Sequence, residues 1–132
     1  MEGGARMTLN EYQKLAMTTC MGSSANPLYM LLMLGEEIGE LQGKFSKAIR
    51  KGKIRFDGND IVFTDKATDE DIAEWEDLTA KECGDILWGV AGICEVLGWN
   101  LENIGQINLD KLSARKAIGT IDGNGDGIER GK

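Results

Sequence analysis

Apolar residues recur every three to four positions through most of the chain, and two short runs break that rhythm. In "TLNEYQKLAMTTC" Leu9, Tyr12, Leu15, Ala16 and Thr19 or Cys20 share a face, and Thr8 followed by Glu11 has the spacing of a capping box. A first helix is predicted over residues 9–21. "MGSSAN" reads as a loop, and Pro27 suits the first turn of a second helix running to Lys51. Its stripe of Leu31, Leu34, Ile38, Leu41, Phe45 and Ile49 is the expected buried face. After Gly52 the period shortens: the runs at residues 54–56 and 61–63 flank Asp57, Gly58, Asn59 and Asp60, which predicts a hairpin inserted over residues 53–64. Thr68 and Asp71 stand at capping distance ahead of a long third helix. That helix carries Ile72, Trp75, Cys83, Ile86, Val90, Ile93 and Leu97 on one side and ends near Gly98. Asn100 caps a fourth helix that stops at Gly119. The expected fold is all-α, a bundle of about four helices with a small β-hairpin insertion. One domain is expected over residues 1–132, with a flexible glycine-rich tail from residue 120.

Charge narrows the partners. Fifteen basic residues against 22 acidic ones give a net −7, which argues against nucleic acid, because phosphate contacts need an excess of lysine and arginine. An anionic ligand therefore needs a cation between it and this chain. No apolar run approaches the roughly 18 residues of a membrane span, so no membrane partner is expected. "MEGGARMTLNEY" has no apolar stretch after a basic one, which makes cytoplasm the expected compartment. Cys20, Cys83 and Cys94 form no CxxC pair and are expected to be small core hydrophobes. The absence of histidine removes imidazole acid/base chemistry and histidine-dependent zinc sites. Chemistry has to come from carboxylates, lysine, arginine or a metal.

Carboxylates interrupt apolar sequence in "LMLGEEIGELQGKF", residues 32–45. At roughly 100° per residue, Glu36, Glu37 and Glu40 lie on one flank of the second helix's stripe, and Glu82 and Asp85 border that of the third. Antiparallel packing would bring the two sets together. Solvated carboxylates, the ordinary alternative, belong opposite the stripe, as Glu74, Asp77 and Glu95 are. Two carboxylates about 5 Å apart repel by roughly 3 kcal/mol at an effective dielectric of 20, so a convergent set needs a cation. Oxygen-only ligation favours Mg²⁺, with Mn²⁺ the alternative. On the fourth helix one face begins with Leu101 and Ile104 and turns into Asn108, Lys111 and Arg115, a cationic end suited to an anion. Basic residues near a helix C-terminus are also favoured by its dipole.

"EEIGE" at 36–40, "ECGD" at 82–85 and "NLDKLSAR" at 108–115 followed by "GTIDGNGD" resemble the MazG-type, all-α nucleoside triphosphate pyrophosphohydrolases, whose signature is EExxE followed by ExxD. The resemblance implies a homodimer or homotetramer that hydrolyses a (deoxy)nucleoside triphosphate to the monophosphate and pyrophosphate with Mg²⁺. It makes Glu37, Glu40, Glu82 and Asp85 the metal ligands and Glu36 an auxiliary ligand or the base orienting water. Asn108, Lys111 and Arg115 become phosphate contacts. The 41 residues between Glu40 and Glu82 exceed the gap in the simplest members because of the hairpin. A dUTP or phosphoribosyl-ATP hydrolase of the same superfamily and a non-catalytic metal-binding oligomer are the alternatives.

Two other motifs fail on inspection. Asp122, Asn124, Asp126 and Gly127 imitate a calcium loop, but the bidentate glutamate of position 12 falls beyond Lys132. The same glycines are followed by no GK[ST] and so make no phosphate loop. Trp75, Trp88 and Trp99, with Met30 and Met33, suit core or subunit packing better than base stacking. Gly89 and Gly92 leave room for either a ligand or a close helix.

Overall fold

Local capping chemistry sets where the helices begin. The structure, a computed structural model, describes residues 6–119; the glycine-rich tail and its calcium-loop mimic lie outside them. Thr8 accepts from the Glu11 amide and Glu11 accepts from the Thr8 amide, opening α1, Leu9–Met17. It ends short of the expected residue 21. Thr18 and Thr19 donate their hydroxyls back to the Leu15 and Ala16 carbonyls, and the chain continues through a 3₁₀ turn, Gly22–Ser24. Asn26 caps α2, Pro27–Arg50, with Pro27 in its first turn. A second capping box, Thr68 with Asp71, opens α3, Asp69–Leu97, which closes on Gly98 in the left-handed region at φ 76°. Asn100 caps α4, Leu101–Ala117.

The hairpin lies where the shortened period puts it. β1, Ile54–Asp57, pairs antiparallel with β2, Asp60–Phe63, with Ile54 opposite Phe63 and Asp57 opposite Asp60. Gly58 alone takes positive φ (63°) in the two-residue loop, as a type II′ turn requires. Lys53 pairs with Asp71, tying the hairpin base to the first turn of α3. That ammonium, with the Thr68 amide, holds the Asp71 carboxyl at about 2.

α2 and α3 run antiparallel: Met30 meets Gly92, Leu34 meets Gly89, Lys44 meets Glu82, and Phe45 meets Trp75. The face of α2 turned inward keeps Leu34, Leu41 and Phe45 of the predicted stripe, each half-buried, and departs from the rest of it. Met30 is fully buried and Ala48 nearly so, whereas Leu31 is 62% exposed and Ile38 and Ile49 are each 43% exposed. Gly89 and Gly92 are the cause. A Cβ on Gly92 would stand 2.8 Å from Met30 Cε, and one on Gly89 would stand 3.1 Å from Leu34 Cδ1. The bare glycine backbone is the place of closest approach, so α2 turns Met30 and Leu34 into it, and Glu37 follows on the same face. The two glycines thus serve helix packing.

α1 and α4 close the other side. Ala91, Cys94 and Leu101 are buried with Tyr12, Met17, Val90 and Ile104 against them. Buried Gln13 spans the α3–α4 joint: its amide nitrogen donates to Glu95 (3.0 Å) and to the Trp99 carbonyl (2.9 Å), and its oxygen accepts from the Leu101 amide (2.9 Å). Trp88 donates to the Ala16 carbonyl and the Thr19 hydroxyl. Of the three cysteines expected in the core, Cys94 is buried, Cys20 is half-buried and Cys83 is exposed. Cys83 follows Glu82, and once Glu82 turns inward its neighbour turns out. No helix among the described residues is long and apolar enough to cross a membrane.

Candidate metal centre

The antiparallel α2–α3 pair places two one-turn carboxylate pairs opposite each other. Glu37 and Glu40 come from α2, and Glu82 and Asp85 from α3; residues three apart lie on one helix face. One oxygen from each of Glu37, Glu40 and Glu82 lies within 4.8 Å of the other two. Their surroundings grade from core to solvent: Glu82 is 7% exposed, Glu37 is half-buried and Glu40 is exposed.

Two of the oxygens are left unsatisfied. Glu37 Oε2 and Glu82 Oε2 are buried and have no hydrogen-bond partner, a state that costs a buried anion heavily unless a cation meets it. Burial, then the neighbouring carboxylates of Asp85, Glu40, Glu82 and Glu36, pushes the Glu37 carboxyl above its ordinary range. Asp85 leads those charges, so it belongs to the same electrostatic cluster although it is exposed. Burial and the Asp85 carboxylate likewise raise the Tyr12 phenol, which brings α1 to the rim of the site. Lys44 meets the set in an ion pair, 3.4 Å from Glu82 Oε1. Carboxylate oxygens without nitrogen or sulfur donors fit a hard divalent cation of the Mg²⁺ class.

The sequence-predicted residues divide into two groups. Glu37, Glu40 and Glu82 converge, Asp85 stands beside them, and Glu36 is exposed one residue away. The second group comes from α4. Asn108 and Lys111 are exposed and Arg115 is half-buried, and Leu101 and Ile104 pack at the start of the same helix. No hydrogen bond or ion pair among the described residues joins Asn108 or Lys111 to the acids. Lys44, which does meet them, went unread in the sequence. Its signal is its spacing, four residues after Glu40 and seven after Glu37, which puts it on the same face.

Comparison with known proteins gives one line of kinship. The Gene 37 protein of Mycobacterium phage L5 is 36% identical over 98 residues, covering 74% of this chain and 73% of that one. The chain belongs to the family of that Gene 37 protein. No family model matches the chain. No solved structure matches it.

Proposed function

We propose that the protein is a Mg²⁺-dependent nucleoside triphosphate pyrophosphohydrolase of the MazG type. The observation that carries this reading is the pair of buried, unpartnered oxygens of Glu37 and Glu82 within a carboxylate triad spanning 4.8 Å. Glu37, Glu40, Glu82 and Asp85 would hold the cation, with Mn²⁺ able to take the place of Mg²⁺. Bound there, the ion supplies charge neutralisation of the triphosphate and acidification of a bound water. Glu36, exposed beside the cluster, orients the attacking water and accepts its proton. Lys44 offsets part of the acidic charge and fixes Glu82. By the family resemblance, Asn108, Lys111 and Arg115 contact phosphates.

Attack at the α-phosphorus releases pyrophosphate and leaves the monophosphate. Incubation with a panel of nucleoside triphosphates, dUTP and phosphoribosyl-ATP in Mg²⁺, with pyrophosphate and orthophosphate detected separately, is expected to show pyrophosphate as the first product. Orthophosphate appearing first overturns the assignment. Stabilisation by Mg²⁺ with no product from any substrate points instead to a cation that only braces the helices.

Assembly is part of the same reading. Leu28, Leu31 and Leu32 are each more than 60% exposed on the outer face of α2, more contiguous apolar surface than isolated surface residues present. A homodimer is expected, with a homotetramer second. Light scattering at micromolar concentration checks it, and a monomer removes it.

A further inference from the structure

At the end of α2 farthest from Met30, a cavity of about 240 Å³ opens between the helix terminus, the hairpin and the start of α3. Lys44, Lys47, Lys51 and Lys53 line it, together with Phe63 and Trp75. Two carboxylates, Asp71 and Glu74, also line it, and Asp71 is already taken by Lys53 and the cap at Thr68. Four ammonium groups against two carboxylates in one concavity run counter to a chain of net charge −7.

The helix dipole favours basic residues in the last turn of α2, but it does not explain how they are arranged here. Lys47 and Lys51 are four residues apart on one helix face, where like charges repel. Among the described residues, neither has an ion-pair partner. The terminal carbonyls they could have served are occupied, since the Lys51, Gly52 and Lys53 amides donate to Lys47, Ile49 and Ala48. The opposite wall is stiff. Trp75 donates its indole N–H to the Lys44 carbonyl (3.0 Å) and stands edge-on to both Phe45 and Phe63. The hairpin that supplies Phe63 and Lys53 is the insertion separating the two acidic motifs, so the cavity exists because of it.

We infer that this cavity binds a small phosphate-bearing anion, with Lys47 and Lys51 as its principal contacts. Its volume lies below the roughly 300 Å³ at which pockets for drug-sized ligands begin. That size suits pyrophosphate or the terminal phosphates of a nucleotide rather than a whole nucleoside triphosphate. Lys44 belongs to both places: it lines the cavity and stands 3.4 Å from Glu82 of the carboxylate cluster. An anion in the cavity therefore lies one lysine away from the proposed metal centre. A phosphate tail reaching it from that centre rests on the hydrolase reading, whereas capture of a free anion does not.

The test is isothermal titration of the full chain with sodium pyrophosphate in EDTA, where no turnover complicates binding. Wild type is expected to bind. Lys47→Ala with Lys51→Ala should weaken binding by tenfold or more, the scale of one charge-assisted contact, while Lys14→Ala on α1 leaves it unchanged. Equal melting temperatures for the variants and wild type would exclude a folding defect. Absence of pyrophosphate binding at millimolar concentration, or binding indifferent to the lysine pair, overturns the inference. A raised KM for nucleotide turnover in the double variant assigns the cavity to the substrate's phosphate tail. An unchanged KM beside lost pyrophosphate binding assigns it to the free anion. Because the titration needs no hydrolysis, it stands or falls separately from the proposed activity.

Discussion

Glu37→Gln is expected to melt above the wild type in EDTA, yet to lose the Mg²⁺-induced stabilisation and nearly all turnover. The direction follows from the Glu37 carboxyl, which burial and four neighbouring carboxylates push upward. A carboxyl whose folded value lies above its unfolded one binds the proton more tightly when folded. Its ionisation therefore lowers stability as pH rises from its ordinary value of 4.5 through the raised one. Glutamine cannot ionise, so the variant's advantage in EDTA should be absent well below pH 4.5 and present at neutral pH. With Mg²⁺ the order inverts. A ligand about a hundredfold above its Kd stabilises the wild type by about 2.7 kcal/mol, and a site missing one carboxylate forfeits most of that. Turnover should fall by more than the roughly 10–100-fold that loss of an outer-shell partner costs. Thermal melts across pH with and without Mg²⁺, beside a pyrophosphate-release assay, read all three effects. A variant retaining both the Mg²⁺ shift and activity would show that "GEEIGE" is an ordinary solvated face.

Gly92→Val should have the largest effect on stability of any conservative change in the α2–α3 interface. Its Cβ would come within 2.8 Å of Met30 Cε, and Met30 has no exposed surface into which to retreat. Overpacking of this kind costs about 1–3 kcal/mol, and valine's better helix propensity returns only a few tenths. The urea midpoint should fall, and adding Met30→Ala should recover part of the loss by emptying the volume that valine needs. Because the same contact sets how closely the acidic pairs face each other, turnover is expected to fall with stability. An unchanged midpoint would mean that Gly92 does not govern the helix approach.

The starts of the helices were legible because capping is local chemistry. Thr8 with Glu11, Pro27, Thr68 with Asp71, and Asn100 each declare a start within four residues of sequence. The β-hairpin was equally local. The buried face of α2 was not, since it depends on where α3 is thinnest. The predicted stripe joined Leu31, Ile38 and Ile49 to Leu34, but Gly92 receives Met30 beside the Leu34 that meets Gly89, and α2 is oriented accordingly. The convergence of Glu37, Glu40 and Glu82 could be anticipated from two acidic motifs on antiparallel helices. The cation beside them could not be identified from charge alone, because Lys44 is one of several lysines; its spacing from Glu37 and Glu40 puts it on their face, and the fold brings it to Glu82. Gln13 was hidden for a related reason: a polar residue in an amphipathic helix gives no sign that its partners lie across the chain.

Those partners are 82 to 88 residues away. A ribosome adding roughly 5–20 residues per second makes Leu101 about 4–18 s after Gln13, and a nine-residue helix such as α1 is marginal in isolation. During synthesis the segment around Gln13 therefore has nothing to seal, and Tyr12 and Met17 remain open to water. A holdase chaperone would meet α1 as an unfolded strip until the α3–α4 corner emerges, at which point three hydrogen bonds and the apolar cluster close together.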